Sequence, residues 1–191
     1  MMCRLVLVLL LALACMPVQA QEQDQARAIL DRALHAVGAD RSAGPSSAAT
    51  WTTKVTVHGL GDPIVYVSEW AFRSPERVRV RMTGTFHGRP FERLLVINGD
   101  HGWIKQEDTI QELDRDRLTE EKERLYAAWV ATLIPLRAAD FNLTALHRNK
   151  AGHQQLGLRV KQAGHRAVVL YFDEAGRLAE SETRRKDPTS G

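Results

Sequence analysis

Arg77, Arg79 and Arg81 form the most regular charged pattern in the chain. Residues two apart share a face of an extended strand, so the three guanidinium groups project together while Val78, Val80 and Met82 project from the other side. Such a row can hold phosphate or carboxylate groups through paired hydrogen bonds, which makes it a candidate surface for anionic headgroups or an acidic protein. A solvated face, with arginine stems covering the sheet and pairing with Glu69 or Glu92, accounts for the same pattern. Arg73 and Arg93 extend the row if the neighbouring strands pair in register. No aromatic residue alternates with the arginines on that face, and base stacking needs one, so nucleic acid is not an expected partner.

Catalytic spacing is not found. The seven histidines, His35, His58, His87, His101, His147, His153 and His165, include no close pair of ligand spacing. There is no zinc-protease histidine pair, serine elbow, phosphate-binding glycine loop or calcium loop of alternating acids. Glu69 falls within a strand pattern. Asp100 and Asp173 fall in turn sequences, where an Asx side chain bonds the local backbone. The expectation is a protein that is not an enzyme, with no cofactor and no metal. The rival reading is a hydrolase assembled across the sheet, for which Asp100 and Asp173 are the acids to test.

The elements that carry these residues follow from periodicity. Ala26, Ile29, Leu30, Ala33, Leu34 and Val37 recur at spacings of three and four, which predicts a helix over 21–37 that buries Ile29, Leu30, Leu34 and Val37 and ends at Gly38. Residues 39–48 read as a loop. The period then changes to two, and six strands follow over 51–58, 64–72, 77–85, 91–97, 101–105 and 109–113. With Asn98-Gly99-Asp100 and Glu107-Asp108 as tight turns, connections this short permit only an antiparallel meander. A second helix is predicted over 118–133, N-capped by Thr119, with Glu120 and Glu121 at its positive end and Pro135 closing it. The mixed charges Glu120, Glu121, Lys122, Glu123 and Arg124 read most simply as its exposed side, with a movable lid as the alternative. Four more strands are predicted over 142–147, 154–162, 166–172 and 177–183, and the tail from Arg184 reads as disordered.

The compartment is written at the N-terminus. Arg4 precedes an apolar run from Leu5 to Cys15, and Val18 and Ala20 stand at the two positions that a signal peptidase reads. This predicts a signal peptide over 1–20, a single domain over 21–183 and a tail over 184–191. The apolar run is too short to span a bilayer. Processing at Cys15 is the alternative and would give a membrane-anchored lipoprotein. Cys3 and Cys15 are the only cysteines, so cleavage after Ala20 leaves a chain stabilised by packing alone. The formal charge of +3 is too small to argue for a polyanionic partner.

This order of elements, with the phrases Pro75-Glu76-Arg77-Val78-Arg79, Asn98 to Trp103 and Leu170 to Leu178, resembles the LolA/LolB-like superfamily of exported lipoprotein-sorting proteins. The resemblance implies an α+β fold: a strongly curved, incompletely closed antiparallel β-sheet, a half-barrel of about ten strands, wrapped around an N-terminal and a middle helix. It implies a periplasmic, monomeric protein that carries a lipid or a lipoprotein acyl chain. A bent sheet under a helix need not close perfectly, and the apolar parity set Trp51, Val55, Ile64, Tyr66, Trp70, Phe72, Val78, Val80 and Met82, with Tyr126 and Trp129, could line an acyl-chain site. The same residues could instead fill a core without a void. The protein would then bind another envelope component through its surface.

Overall fold

The computed structural model describes residues 16–39, 48–57, 63–74, 76–150 and 152–183. Cys15, most of the export segment, the loop over 40–47 and the tail from Arg184 lie outside the described residues. The chain divides into two compact units, one of residues 44–129 and one of residues 1–43 with 130–191. The ten expected strands are all present. They form two antiparallel sheets, of six and four strands, and neither closes into a barrel.

In the first unit, β1 (Ala49–Val57), β2 (Ile64–Ser74), β3 (Arg77–Phe86), β4 (Arg89–Asn98), β5 (His101–Gln106) and β6 (Thr109–Glu112) follow one another as a meander. Asn98 pairs with His101 across a two-residue turn in which Gly99 takes the positive φ of 61° that a tight hairpin requires. Glu107 takes a φ of 54° in the β5–β6 turn, although it is not a glycine. Helix α1 belongs to the other unit; here α2 (Arg115–Ala131) lays Leu118 and Leu125 on Val78, Val80, Leu95, Ile97 and Ile104. Burying such side chains stabilises the unit by roughly 1.5 to 3 kcal/mol each. Gly102 permits this contact, because a Cβ there would lie 2.8 Å from the Leu118 and Ile97 methyl carbons.

The cap of α2 differs from the sequence expectation. Asp114, not Thr119, caps the helix: its Oδ1 accepts from the Arg117 N–H at 2.8 Å. Thr119 lies inside the helix and donates to the Arg115 carbonyl at 2.8 Å. The helix begins a turn earlier than its apolar periodicity suggests, because a cap and a polar first turn carry no apolar signal. Asp116 is therefore the acid of the first turn, and Glu120 and Glu121 lie further along. At the other end Leu133 adopts a left-handed φ of 65°, and a 3₁₀ turn over Ile134–Arg137 takes Pro135 near its start.

In the second unit α1 (Met16–Ala36) buries Ala26, Ile29, Leu30, Ala33 and Leu34. Its end is a left-handed glycine stop: Gly38 has φ 69°, the Ala39 N–H donates to Leu34 O at 2.9 Å, and the Gly38 N–H donates to His35 O at 3.0 Å. Val37 was expected in the core but is 51% exposed, since it lies past the last helical residue, where the 3.6-residue period no longer places it on the buried face. Strands β7 (Asn142–Lys150), β8 (His153–Lys161), β9 (Val168–Phe172) and β10 (Leu178–Thr183) form the four-stranded sheet, with Leu143, Leu158, Val160, Val168, Leu170 and Phe172 buried.

Candidate functional site

Pairing register turns the parity set into rows across the six-stranded sheet. On the face under α2, Trp51 pairs with Trp70, Trp70 with Val80, and Val80 with Leu95. One row on, Phe72 pairs with Val78 and Val78 with Ile97. The Trp51 and Trp70 rings stack at 5.4 Å with 8° between their planes, and Phe72 lies 6.0 Å from Trp51 and 6.1 Å from Trp129. Tyr126 meets Trp129 edge-on at 6.2 Å. Phe72, Val78, Val80 and Tyr126 are buried, whereas Trp51, Trp70, Met82 and Trp129 stay half-buried at the border of the core. The result is a strip of aromatic faces that the unit's own core does not cover.

Val55, Ile64 and Tyr66 are not part of that strip. They lie toward the other end of β1 and β2, where Val55 pairs with Tyr66, Tyr66 with Gly84, and Tyr66 meets Phe91 at 6.2 Å. A more polar row separates the two groups: Thr53, Ser68, Met82 and Arg93. Ser68 is 2% exposed and donates to the Thr53 carbonyl at 3.4 Å.

Arg93 pairs with Met82 in register, which puts it on the helix side and not in the arginine row. The parity of Phe91, Arg93, Leu95 and Ile97 carries that signal in the sequence. Its guanidinium lies 3.8 Å from Glu121, while its Nε is buried without a hydrogen-bond partner among the described residues. The charges of α2 are also not a freely exposed side. Glu121 accepts from Arg124 at 2.7 Å, Lys122 reaches Asp100 at 3.1 Å, and the Arg124 guanidinium stands 6.0 Å from the Trp70 ring centre. These residues fall in the turns that carry Leu118 and Leu125 onto the sheet, so charged groups frame the aromatic strip.

The arginine row itself divides. Arg81 donates to both Glu92 oxygens, at 3.0 and 3.2 Å, and lies 4.0 Å from Glu69. The hydrogen bond and charge of Arg81 hold the Glu92 carboxyl below its ordinary range, and those of Glu92 raise the Arg81 guanidinium. Arg77 and Arg79 are exposed and, among the described residues, make no ion pair. Together with Arg73 they border a groove of about 560 Å³ where β1 to β4 end, lined below by Phe72, Val78 and Ile97.

Asp173 bonds its own turn, whereas Asp100 accepts from Lys122 of α2 at 3.1 Å. Asp173 Oδ1 accepts from the Arg177 N–H at 2.8 Å, which with the Arg177 side chain lowers its pKa. Among the described residues no group of three or more His, Cys, Asp and Glu side chains could hold a metal ion. His101 pairs with Glu112 at 2.9 Å and His147 with Gln25 at 3.0 Å. Trp103 stacks on His101 at 5.8 Å and shares the Arg79 face, so it packs outside the core. Among the described residues no helix is long and apolar enough to cross a membrane.

No protein-family model matches the chain. No curated protein matches it either. Among solved structures it is similar to the crystal structure of the LolA superfamily protein NE2245 from Nitrosomonas europaea, with 13% identity, 83% of this chain and 70% of that chain covered, and a TM-score of 0.41.

Proposed function

We propose that this is an exported, non-enzymatic envelope protein that binds a lipid or a lipoprotein acyl chain on the aromatic strip formed by Trp51, Trp70, Phe72 and Trp129. The observation that carries the reading is the half-buried state of three tryptophans beside a closed core, Trp51 stacked on Trp70 and Trp129 joined to Trp51 through Phe72. Large contiguous apolar surface left open marks an interaction or ligand site, and sites for apolar ligands are lined by aromatic side chains. The export signal read from residues 1–20 and the resemblance of the sequence phrases to lipoprotein-sorting proteins support a periplasmic carrier.

A fluorescent fatty acid tests this. It should bind, be displaced by phospholipid or a diacylated lipopeptide, and quench the emission of the strip tryptophans. Trp70→Ala should weaken binding at least tenfold with the fold intact. If the probe does not bind, or is not displaced, and native mass spectrometry of protein taken from its own envelope shows no lipid, the carrier reading is abandoned. The complete burial of Val80 and Tyr126 favours the second reading, a filled core whose surface binds another envelope component. Loss of a captured envelope partner on charge reversal in the arginine row, with no lipid bound, is its signature.

A further inference from the structure

We propose that the groove at the end of β1 to β4 seats an anionic phospholipid, with its phosphate held by Arg73, Arg77 and Arg79 and its first methylenes on Ala49, Ala71 and Val96. The groove holds about 560 Å³, and its lining sets the partly open Ala49, Ala71 and Val96 beside the outward arginines, over the buried Phe72, Val78 and Ile97. The division of the arginine row is the second observation. Arg81, outside the groove, is neutralised by Glu92 and Glu69. The three arginines on the groove make no ion pair or side-chain hydrogen bond among the described residues.

Charge complementarity selects the occupant. Three guanidinium groups without an ion pair among the described residues call for a multiply accepting anion, and phosphate matches their donor geometry. The adjoining apolar floor calls for hydrocarbon within a few ångströms of that anion. An acidic protein surface supplies the first but leaves the floor uncovered, whereas an anionic phospholipid supplies both. The site draws on arginines that the aromatic strip does not use, so it can stand without the acyl-chain reading.

Co-sedimentation of the full processed protein with vesicles tests it. Vesicles of phosphatidylcholine containing phosphatidylglycerol should bind the protein, and pure phosphatidylcholine vesicles should not. An arginine beside an anionic bilayer contributes a factor of about five in partitioning, so Arg77→Gln with Arg79→Gln should reduce binding by about 25-fold. Arg77→Glu with Arg79→Glu should reduce it further, and unchanged melting temperatures in both variants establish that they fold. Trp70→Ala should keep vesicle binding while losing the fatty-acid probe, which separates this site from the strip. Equal binding to pure phosphatidylcholine, unchanged binding in the double variants, or displacement from vesicles by glycerol phosphate as effective as by a short-chain phosphatidylglycerol overturns the proposal.

Discussion

A Cβ at Gly84 would lie 2.6 Å from the Val65 carbonyl oxygen and 2.6 Å from the Tyr66 Cβ, distances that backbone on a paired strand cannot relieve. Gly157 meets the same obstacle, 2.8 Å from the Leu170 carbonyl and 2.7 Å from the Tyr171 ring. Each glycine is paired directly with its tyrosine, so each sheet contains a tyrosine laid over the bare backbone of the next strand. Gly84→Ala and Gly157→Ala should each lose about 1 to 3 kcal/mol in urea unfolding, the range for forcing extra volume into packed structure. Glu107 presents the opposite case. Its φ of 54° strains a side-chain-bearing residue by about 1 to 2 kcal/mol, and glycine would relieve this at some entropic cost. Glu107→Gly should therefore raise stability by about 0.5 to 1 kcal/mol in the same measurement.

The sequence locates elements well where periodicity is strong and caps poorly where it is not. All ten strands were legible because alternation persists through them, and Gly38 named the end of α1 because only a left-handed stop fits there. The cap of α2 was missed because three plausible residues, Asp114, Asp116 and Thr119, precede its first apolar turns, and only hydrogen bonds choose among them. Asp114→Ala should cost about 1 kcal/mol in thermal unfolding, and Thr119→Ala much less, since its hydroxyl only returns a bond to Arg115 within the helix. The candidate site was half legible. Parity placed Trp51, Trp70, Phe72, Val78 and Val80 on one face, but could not show that Ser68 and Arg93 interrupt it before Tyr66. That interruption follows from register, as does the stacking of Arg148 over Tyr171, 3.4 Å from the ring centre, with Glu182 at 2.9 Å and Glu180 also in hydrogen-bond contact.

Across the molecule, charge pairing sets the response to acid. Lys150 and then Arg148 lower the Glu180 pKa through hydrogen bonds, Arg81 lowers Glu92, and Arg177 lowers Asp173. A carboxyl depressed in the folded state contributes stability that is present above its unfolded pKa, near 4, and is lost as pH falls through the folded value. The contribution of these three carboxyls should thus be flat from pH 7 to about 5 and be lost below about 4. Glu180→Gln should flatten that loss in urea titrations at several pH values. All three carboxyls lie at the surface, so the change is small and should shrink further in high salt. The span of α1 bears on a different matter, the distance at which the domain operates. The helix begins at Met16, and from Glu22 onward Glu22 to Gln25 are exposed and Ala26 is buried. Glu22 to Gln25 therefore extend the helix ahead of the buried Ala26. An exposed helical stretch ahead of the packed part of α1 acts as a spacer, setting Ala26 about 6 Å along the helix axis from Glu22.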